Sequence, residues 1–237
     1  MKQTKYDGQT RDRVSCVVIM PAHNEEHDVG SVIDDLHKRY HYPIVVVDDA
    51  STDTTVVKAR AAGAIVIPLA SQLGAWGAIQ TGMRYASAKG FDFAITMDAD
   101  GQHEAASIEQ LIEPVLENEA DVSIGTCTRR GSLLRQIAWV IMKRVSGLSL
   151  EDITSGFRVY NHKAVEILAA ESATLLEYQD VGVLMLLKSN GIRIADVEVS
   201  MSPRRSGISR IFHSWSSVIY YISYTLLLSI TKRGYKR

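Results

Sequence analysis

Three acidic clusters, each directly behind a short β-branched run, carry the chemistry open to this chain. Pro21-Ala22-His23-Asn24-Glu25-Glu26 follows Val14–Met20, Asp48-Asp49-Ala50-Ser51-Thr52-Asp53 follows Ile44–Val47, and Asp98-Ala99-Asp100-Gly101-Gln102-His103 follows Phe93–Met97. Carboxylates gathered along one edge repel one another unless a cation or hydrogen-bond donors lie between them. A divalent metal together with a nucleotide meets that requirement. Asp98 and Asp100, one residue apart at a strand end, can reach the same side of a tight turn and offer hard oxygen ligands to Mg2+ or Mn2+. A cation held there bridges diphosphate oxygens and stabilises a departing nucleoside diphosphate. An isolated Asp-x-Asp is more commonly a turn or a helix cap, and Ser51 or Asp53 is expected to cap the next helix. Capping leaves Asp48 unexplained. Glu26 has an equally good reading as a favourable charge at a helix N-terminus.

The elements that must position these clusters follow from the hydrophobic pattern. Strands are expected at Val14–Met20, Ile44–Val47, Ala64–Ile67, Phe93–Met97 and Val122–Ile124, with helices at Val29–Arg39, Thr54–Ala62, Ala75–Ala88 and Ala105–Glu117 between them. This alternation predicts an α/β fold, a mostly parallel central sheet flanked by helices, with its ligand crevice at the carboxyl ends of the strands. Past Thr126 the rhythm loosens into a basic loop (Thr128–Arg135), a helix to about Val145, a strand near Phe157–Tyr160, a helix around Val181–Ser189 and a strand at Ile192–Val199. No internal repeat or Pro/Gly linker divides the chain.

The chain has 237 residues, 46% of them hydrophobic and 22% charged, which describes a packed globular protein rather than a disordered or coiled-coil one. A net charge of −1 removes any global electrostatic case for nucleic-acid binding. Two cysteines, Cys16 and Cys127, are too few for a disulfide framework. The first residues, MKQTKYDGQTRDR, contain no apolar run of a secretory signal, so the cytoplasmic side is expected. Cys127, His103 and His23 have no partners at zinc or triad spacing, and Cys127 is assigned to packing.

PAHNEE, VVVDDASTDTT, QLGAWGAIQTGM, TMDADGQH, DITSGFRVYN and MSPRRSGISRI occur in the order and spacing of a known family, over about Val17 to Ile211. The chain resembles a family 2 glycosyltransferase of the GT-A fold, in the polyprenyl-phosphate, dolichol-phosphate-mannose synthase-like branch. The resemblance implies that Pro21, Ala22, Asn24 and Glu25 lie along the nucleoside and that Asp48 and Asp49 meet base and ribose. Gln72, Leu73 and Gly74 match the segment opening the third helix near the nucleotide. Asp98 and Asp100 match the Asp-x-Asp pair that holds metal and donor diphosphate, and Gln102 a residue completing the coordination. Ser155, Gly156, Phe157 and Arg158 resemble a segment lining the sugar and acceptor side. Arg204, Gly207 and Ser209 resemble a loop that closes over phosphates. Asp100, Arg158 and Asp180 are the expected catalytic residues. Arg129, Arg130, Arg135, Ser155, Arg204 and Ser209 are expected to bind the acceptor phosphate.

The chain departs from the family pattern at several positions. Gln72 stands where Asn is usual, and Trp76, where a small residue is usual, is expected to put bulk near the donor pocket. Thr126-Cys127 replaces Ser-Arg, and only Asp180 keeps its place in a motif whose second acid is here Gly182. The implied reaction is inverting transfer of a sugar from a UDP-, GDP- or dTDP-sugar, with Mg2+ or Mn2+, to a polyprenyl phosphate. A lipid phosphate is already a nucleophile at neutral pH. A sugar hydroxyl on a lipid-linked glycan, as in surface polysaccharide synthesis, would need a base, and Asp180 is the candidate. A non-catalytic nucleotide-sugar-binding protein and a nucleotidyltransferase are the other classes considered. Intact Asp98, Asp100 and Gln102 oppose the former, and the acidic PAHNEE segment, where a Gly-rich basic loop belongs, opposes the latter.

Residues 1–210 are expected to form the catalytic domain and 211–237 a C-terminal helix. Between Arg210 and Lys232 there is no formal charge. A helix here would reach about 30 Å, so a core helix, a membrane span and an interfacial helix all compete. Ser214, Ser216 and Ser217 weaken a span. A stripe of Ile211, Trp215, Val218, Ile219, Ile222 and Leu226, followed by Lys232, Arg233, Lys236 and Arg237, favours a helix lying in the interface against anionic headgroups. The expectation is a peripheral enzyme on the inner face of the cell membrane, docked there alone, to a small membrane partner or to a second copy of itself.

Overall fold

The computed structural model describes residues 14–127, 155–174 and 181–202. The basic loop and the helix after it, Asp180, the Arg204–Ser209 loop and the C-terminal segment lie outside the described residues, as do Arg129, Arg130 and Arg135.

Seven strands form one sheet, in the order β3-β2-β1-β4-β6-β5-β7. They are β1 (Cys16–Ala22), β2 (Ile44–Asp48), β3 (Ile65–Pro68), β4 (Phe93–Thr96), β5 (Val122–Thr126), β6 (Arg158–Asn161) and β7 (Ile194–Glu198). The helices are α1 (Val29–His37), α2 (Thr55–Ala61), α3 (Gly74–Lys89), α4 (Ile108–Leu116), α5 (His162–Ala169) and α6 (Val181–Ser189). β1 and β2 read as continuous apolar runs because both faces of these central parallel strands are covered; every residue of Cys16–Met20 and Ile44–Asp48 is buried. β6 is the exception to the parallel pattern, running antiparallel to both β4 and β5. Hydrophobic periodicity carries no strand direction, so the mostly parallel sheet was legible and this reversal was not.

The core forms two layers. On one face Ile19, Val45 and Val47 pack with Trp76, Ile79 and Met83 of α3, Val165 and Leu168 of α5, and Leu184 and Leu187 of α6. On the other, Val18, Met20 and Ile95 pack with Ile33 and Leu36 of α1 and Leu111 and Ile112 of α4. The approach of α3 to β1 depends on Gly82, where an added Cβ would fall 2.3 Å from Ile19 Cγ2.

The hydrophobic pattern marks no helix between the strand near Phe157–Tyr160 and the helix around Val181, and α5 occupies that interval. Asn161 ends β6 and caps α5, its side-chain oxygen accepting from Ala164 N at 2.9 Å. α3 then caps the other end of α5. Trp76, Gln80 and Arg84, spaced one helical turn apart, donate in turn to Ala173 O, to Leu168 and Ala170 O, and to Ala169 O. Leu168, Ala169 and Ala170 are among the carbonyls the C-terminus of α5 leaves without intrahelical partners, and Ala173 closes the short helical turn that follows. Trp76 is therefore not bulk in the donor pocket: it is 2% exposed, inside the core between α3 and α5.

At the sheet edge opposite the acidic clusters, Arg193 clamps β5 to β7. Its Nε and Nη2 donate to the two carboxylate oxygens of Asp121, each at 3.1 Å, and Asn161 Nδ2 adds a third donor at 3.0 Å. The Arg193 guanidinium holds the Asp121 carboxyl below the usual carboxylate range.

Candidate active site

The first two clusters converge because β1 and β2 are paired in parallel with Ala22 opposite Asp48. The loops that leave these strands are stitched together. His23 Nδ1 donates to Asp49 O at 2.6 Å, Asn24 N to Ser51 Oγ at 2.9 Å, and Thr52 N to Asn24 Oδ1 at 2.9 Å. Glu25 N donates to Thr55 Oγ1 and Glu26 N to Asp53 Oδ2. Glu26 accepts from both the backbone N–H and the hydroxyl of Thr54, and that hydroxyl lowers its carboxyl below the ordinary range. Asn24 and Glu26 thus tie one loop to the other, and Asn24 holds the left-handed conformation (φ 55°) this needs. Neither Ser51 nor Asp53 occupies the N-cap of α2, which is Thr54; Asp53, one residue earlier, accepts Thr55 N at 2.9 Å, while Ser51 serves Asn24.

Asp48 and Asp49 do different work. The Asp49 carboxylate accepts Leu73 N at 2.6 Å and Gly74 N at 3.0 Å, so it positions the segment that opens α3, including the exposed Gln72. Asp48 is 3% exposed; its Oδ2 accepts Ser51 N at 3.2 Å, and its buried Oδ1 has no hydrogen-bond partner among the described residues. A buried carboxylate oxygen is costly unless a donor reaches it. It is suited to an N–H or O–H donor of a bound ligand.

The third cluster is a tight turn with Gly101 at φ 73°. Asp98 is partly exposed, whereas Asp100 is 4% exposed and its Oδ1 accepts Gln102 N at 3.0 Å. Asp98 N donates to Nδ1 of His103 at 3.0 Å, and the His103 ring stacks on Phe157, with centroids 4.9 Å apart. Thr96 Oγ1 donates to Gly156 O at 2.7 Å. These contacts bring the Ser155–Phe157 segment against the turn. Ser155 is 5% exposed. Arg158 is wholly buried on β6, its Nε donating to Ser155 O at 2.8 Å, so in this structure it shapes the segment from within the sheet.

Two carboxylates and an amide are a hard oxygen set, and they fit Mg2+ or Mn2+. No group of three or more His, Cys, Asp or Glu among the described residues is placed to hold a metal. Asp98, Asp100 and Gln102 would supply only part of the shell of such a cation, and Mg2+ commonly fills the rest of its shell with water and phosphate oxygens.

A mostly parallel sheet with three acidic loops at its carboxyl edge and an Asp-x-Asp turn after β4 defines a glycosyltransferase of the GT-A fold. The chain belongs to glycosyl transferase family 2, whose family model matches residues 17–168. It is 26% identical over 212 residues to the UDP-N-acetylglucosamine–dolichyl-phosphate N-acetylglucosaminyltransferase of Methanococcus voltae, covering 77% of this chain and 83% of that one. It is 25% identical over 212 residues to the polyprenol monophosphomannose synthase of Mycolicibacterium smegmatis, covering 82% and 80%. In fold it is similar to the glucosyl-3-phosphoglycerate synthase of Mycobacterium tuberculosis, crystallised with Mn2+, UDP and phosphoglyceric acid. The TM-score is 0.71 at 20% identity, over 95% of this chain and 80% of that one.

His103 has no ligand-spaced neighbours in the sequence to mark it. Its proximity to the Gly-Phe-Arg segment, more than fifty residues away, is the signal that only the fold supplies. The exposed Leu73, 56% accessible beside Asp49, is a second feature that periodicity alone does not mark.

Proposed function

We propose that this glycosyltransferase transfers a sugar from a nucleotide-sugar donor to a polyprenyl phosphate at a membrane surface, with inversion at the anomeric carbon. The observation that carries the reading is the buried Oδ1 of Asp48, without a hydrogen-bond partner among the described residues, on the same sheet edge as the Asp98–Gln102 turn. One group suits the nucleoside and the other its diphosphate. The names of the two sequence relatives, both of which act on a prenyl-type phosphate, support the acceptor class.

In this reading Pro21, Ala22, Asn24 and Glu25 line the nucleoside, Asp48 accepts from it, and Asp49 holds Gln72–Gly74 against it. Asp98, Asp100 and Gln102 hold Mg2+ or Mn2+, which when bound supplies Lewis-acid stabilisation of the leaving diphosphate. Ser155, Arg129, Arg130, Arg135, Arg204 and Ser209 orient the acceptor phosphate. Its anionic oxygen attacks the anomeric carbon from the face opposite the leaving group, so no protein base is required. The chain's contribution is positioning and exclusion of water, and Arg158 supports Ser155 from beneath. Residues 211–237 lie in the interface of the inner leaflet. No helix among the described residues is long and apolar enough to cross a membrane.

A panel of UDP-, GDP- and dTDP-sugars, incubated with polyprenyl phosphate and Mg2+ or Mn2+ and read by mass spectrometry of the lipid, tests the reaction. The expected product is a lipid monophosphate glycoside. Transfer only to a hydroxyl of a lipid-linked glycan would replace the acceptor assignment and make Asp180 the expected base. Nucleotide binding without any turnover would favour a binding protein.

A further inference from the structure

The turn that carries Asp98 and Asp100 is braced from behind by His103, a residue with no assigned role. His103 is 7% exposed and grips its surroundings in three ways. Its Nδ1 accepts the backbone N–H of Asp98 at 3.0 Å, so the ring proton resides on Nε2, which lies 3.7 Å from Asp98 Oδ2. Its ring stacks on Phe157 at an interplanar angle of 13°, which ties the turn to the Ser155–Phe157 segment. Its backbone bridges to Met201 in antiparallel fashion, and beside that bridge Ser202 N donates to Gln102 O at 2.9 Å and Ser202 Oγ to Glu104 Oε1 at 2.9 Å. The imidazole thereby joins the Asp-x-Asp turn to the segment after residue 154, and the backbone of the same residue joins the turn to the segment after β7.

The acceptor on Nδ1 is the specific element. Asp98 N is the first backbone donor of a turn whose two carboxylates must face one cation, and the hydrogen bond to His103 sets the direction in which Asp98 leaves Met97. We infer that His103 is a positioning residue that preorganises Asp98 and Asp100 for a divalent cation bound with a diphosphate. The inference rests on the reading of this turn as the cation site.

Three variants of the full chain separate the parts of the brace. His103→Phe keeps a ring for Phe157 but leaves Asp98 N–H without its acceptor. His103→Asn places an amide oxygen near the position of Nδ1 but removes the ring. His103→Gln places its amide nearer the position of Nε2. Mn2+ binding in the presence of UDP is measured by the loss of the free Mn2+ electron paramagnetic resonance signal, with a thermal melt of each variant alongside. The expected pattern is Mn2+ affinity close to wild type for Asn and weakened about tenfold for Phe and Gln, the effect of a buried donor left unpaired. That order is independent of the order of melting temperatures, and the Asn and Gln pair decides the matter if the Phe variant does not fold. Equal Mn2+ affinity in all folded variants, or weakening that merely follows melting temperature, overturns the brace. Failure of the wild-type chain to bind Mn2+ with UDP overturns the cation site itself and the brace with it, a result distinguishable from the first.

Discussion

The indole N–H of Trp76 donates to the carbonyl of Ala173 across 2.9 Å, joining the first turn of α3 to the short helical turn after α5. Trp76→Phe keeps most of the buried volume and removes the donor. The Ala173 carbonyl then lacks this partner, and stability is expected to fall by about 1–3 kcal/mol. Urea unfolding measures the loss, and UDP affinity is expected to change little, because the Trp76 side chain is buried in the core.

Asp49 accepts two backbone N–H groups at the start of α3. Asp49→Ala leaves both unmet and should cost about 1–2 kcal/mol, in the manner of a lost helix cap. Because Gln72–Gly74 would lose their anchor, nucleotide affinity should fall as well. Calorimetric titration with UDP and a denaturation curve on the same variant read the two effects, and unchanged nucleotide affinity would separate Asp49 from the site.

Asp100 is buried, and its Oδ1 accepts Gln102 N. Asn at this position retains an acceptor oxygen and loses the charge. Asp100→Asn is therefore expected to melt close to wild type while metal-dependent transfer falls on the order of a hundredfold or more, the several kcal/mol a Lewis-acid cation supplies. Full activity at saturating Mn2+ would remove Asp100 from the metal site.

The hydroxyl of Tyr160 is buried in the core and has no hydrogen-bond partner among the described residues. Desolvating a hydroxyl without return is unfavourable. Tyr160→Phe should be neutral or stabilising by up to about 1 kcal/mol, seen as an unchanged or raised denaturation midpoint. A clear loss of stability would mean the hydroxyl has a bonded partner.

The Asp121 clamp has a pH signature. The hydrogen bond from Arg193 lowers the folded-state pKa of Asp121, so the ionised form is favoured by folding. Its contribution is fully present above the ordinary aspartate value of about 3.9 and is lost as pH falls from there through the lower folded value. The stability difference between wild type and Asp121→Asn should thus stay constant near neutrality and shrink below about pH 4. A difference that persists unchanged to strongly acidic pH would assign the clamp to hydrogen bonding alone.

Strand-helix alternation and the three polar clusters were legible along the chain because both depend on local order: apolar runs mark strands buried on two faces, and polar residues follow where a strand leaves the sheet. The family and the loops that hold Asp48, Asp98 and Asp100 could be read for the same reason. The reversal of β6, the division of labour between Asp48 and Asp49, the burial of Trp76 and Arg158, and the stacking of His103 on Phe157 could not. Each depends on partners distant in sequence, as Asp49 is from Gly74 and Trp76 from Ala173. A side chain's type states which hydrogen bonds and contacts it can make, but the partner that receives them is decided by which segments the folded sheet brings together.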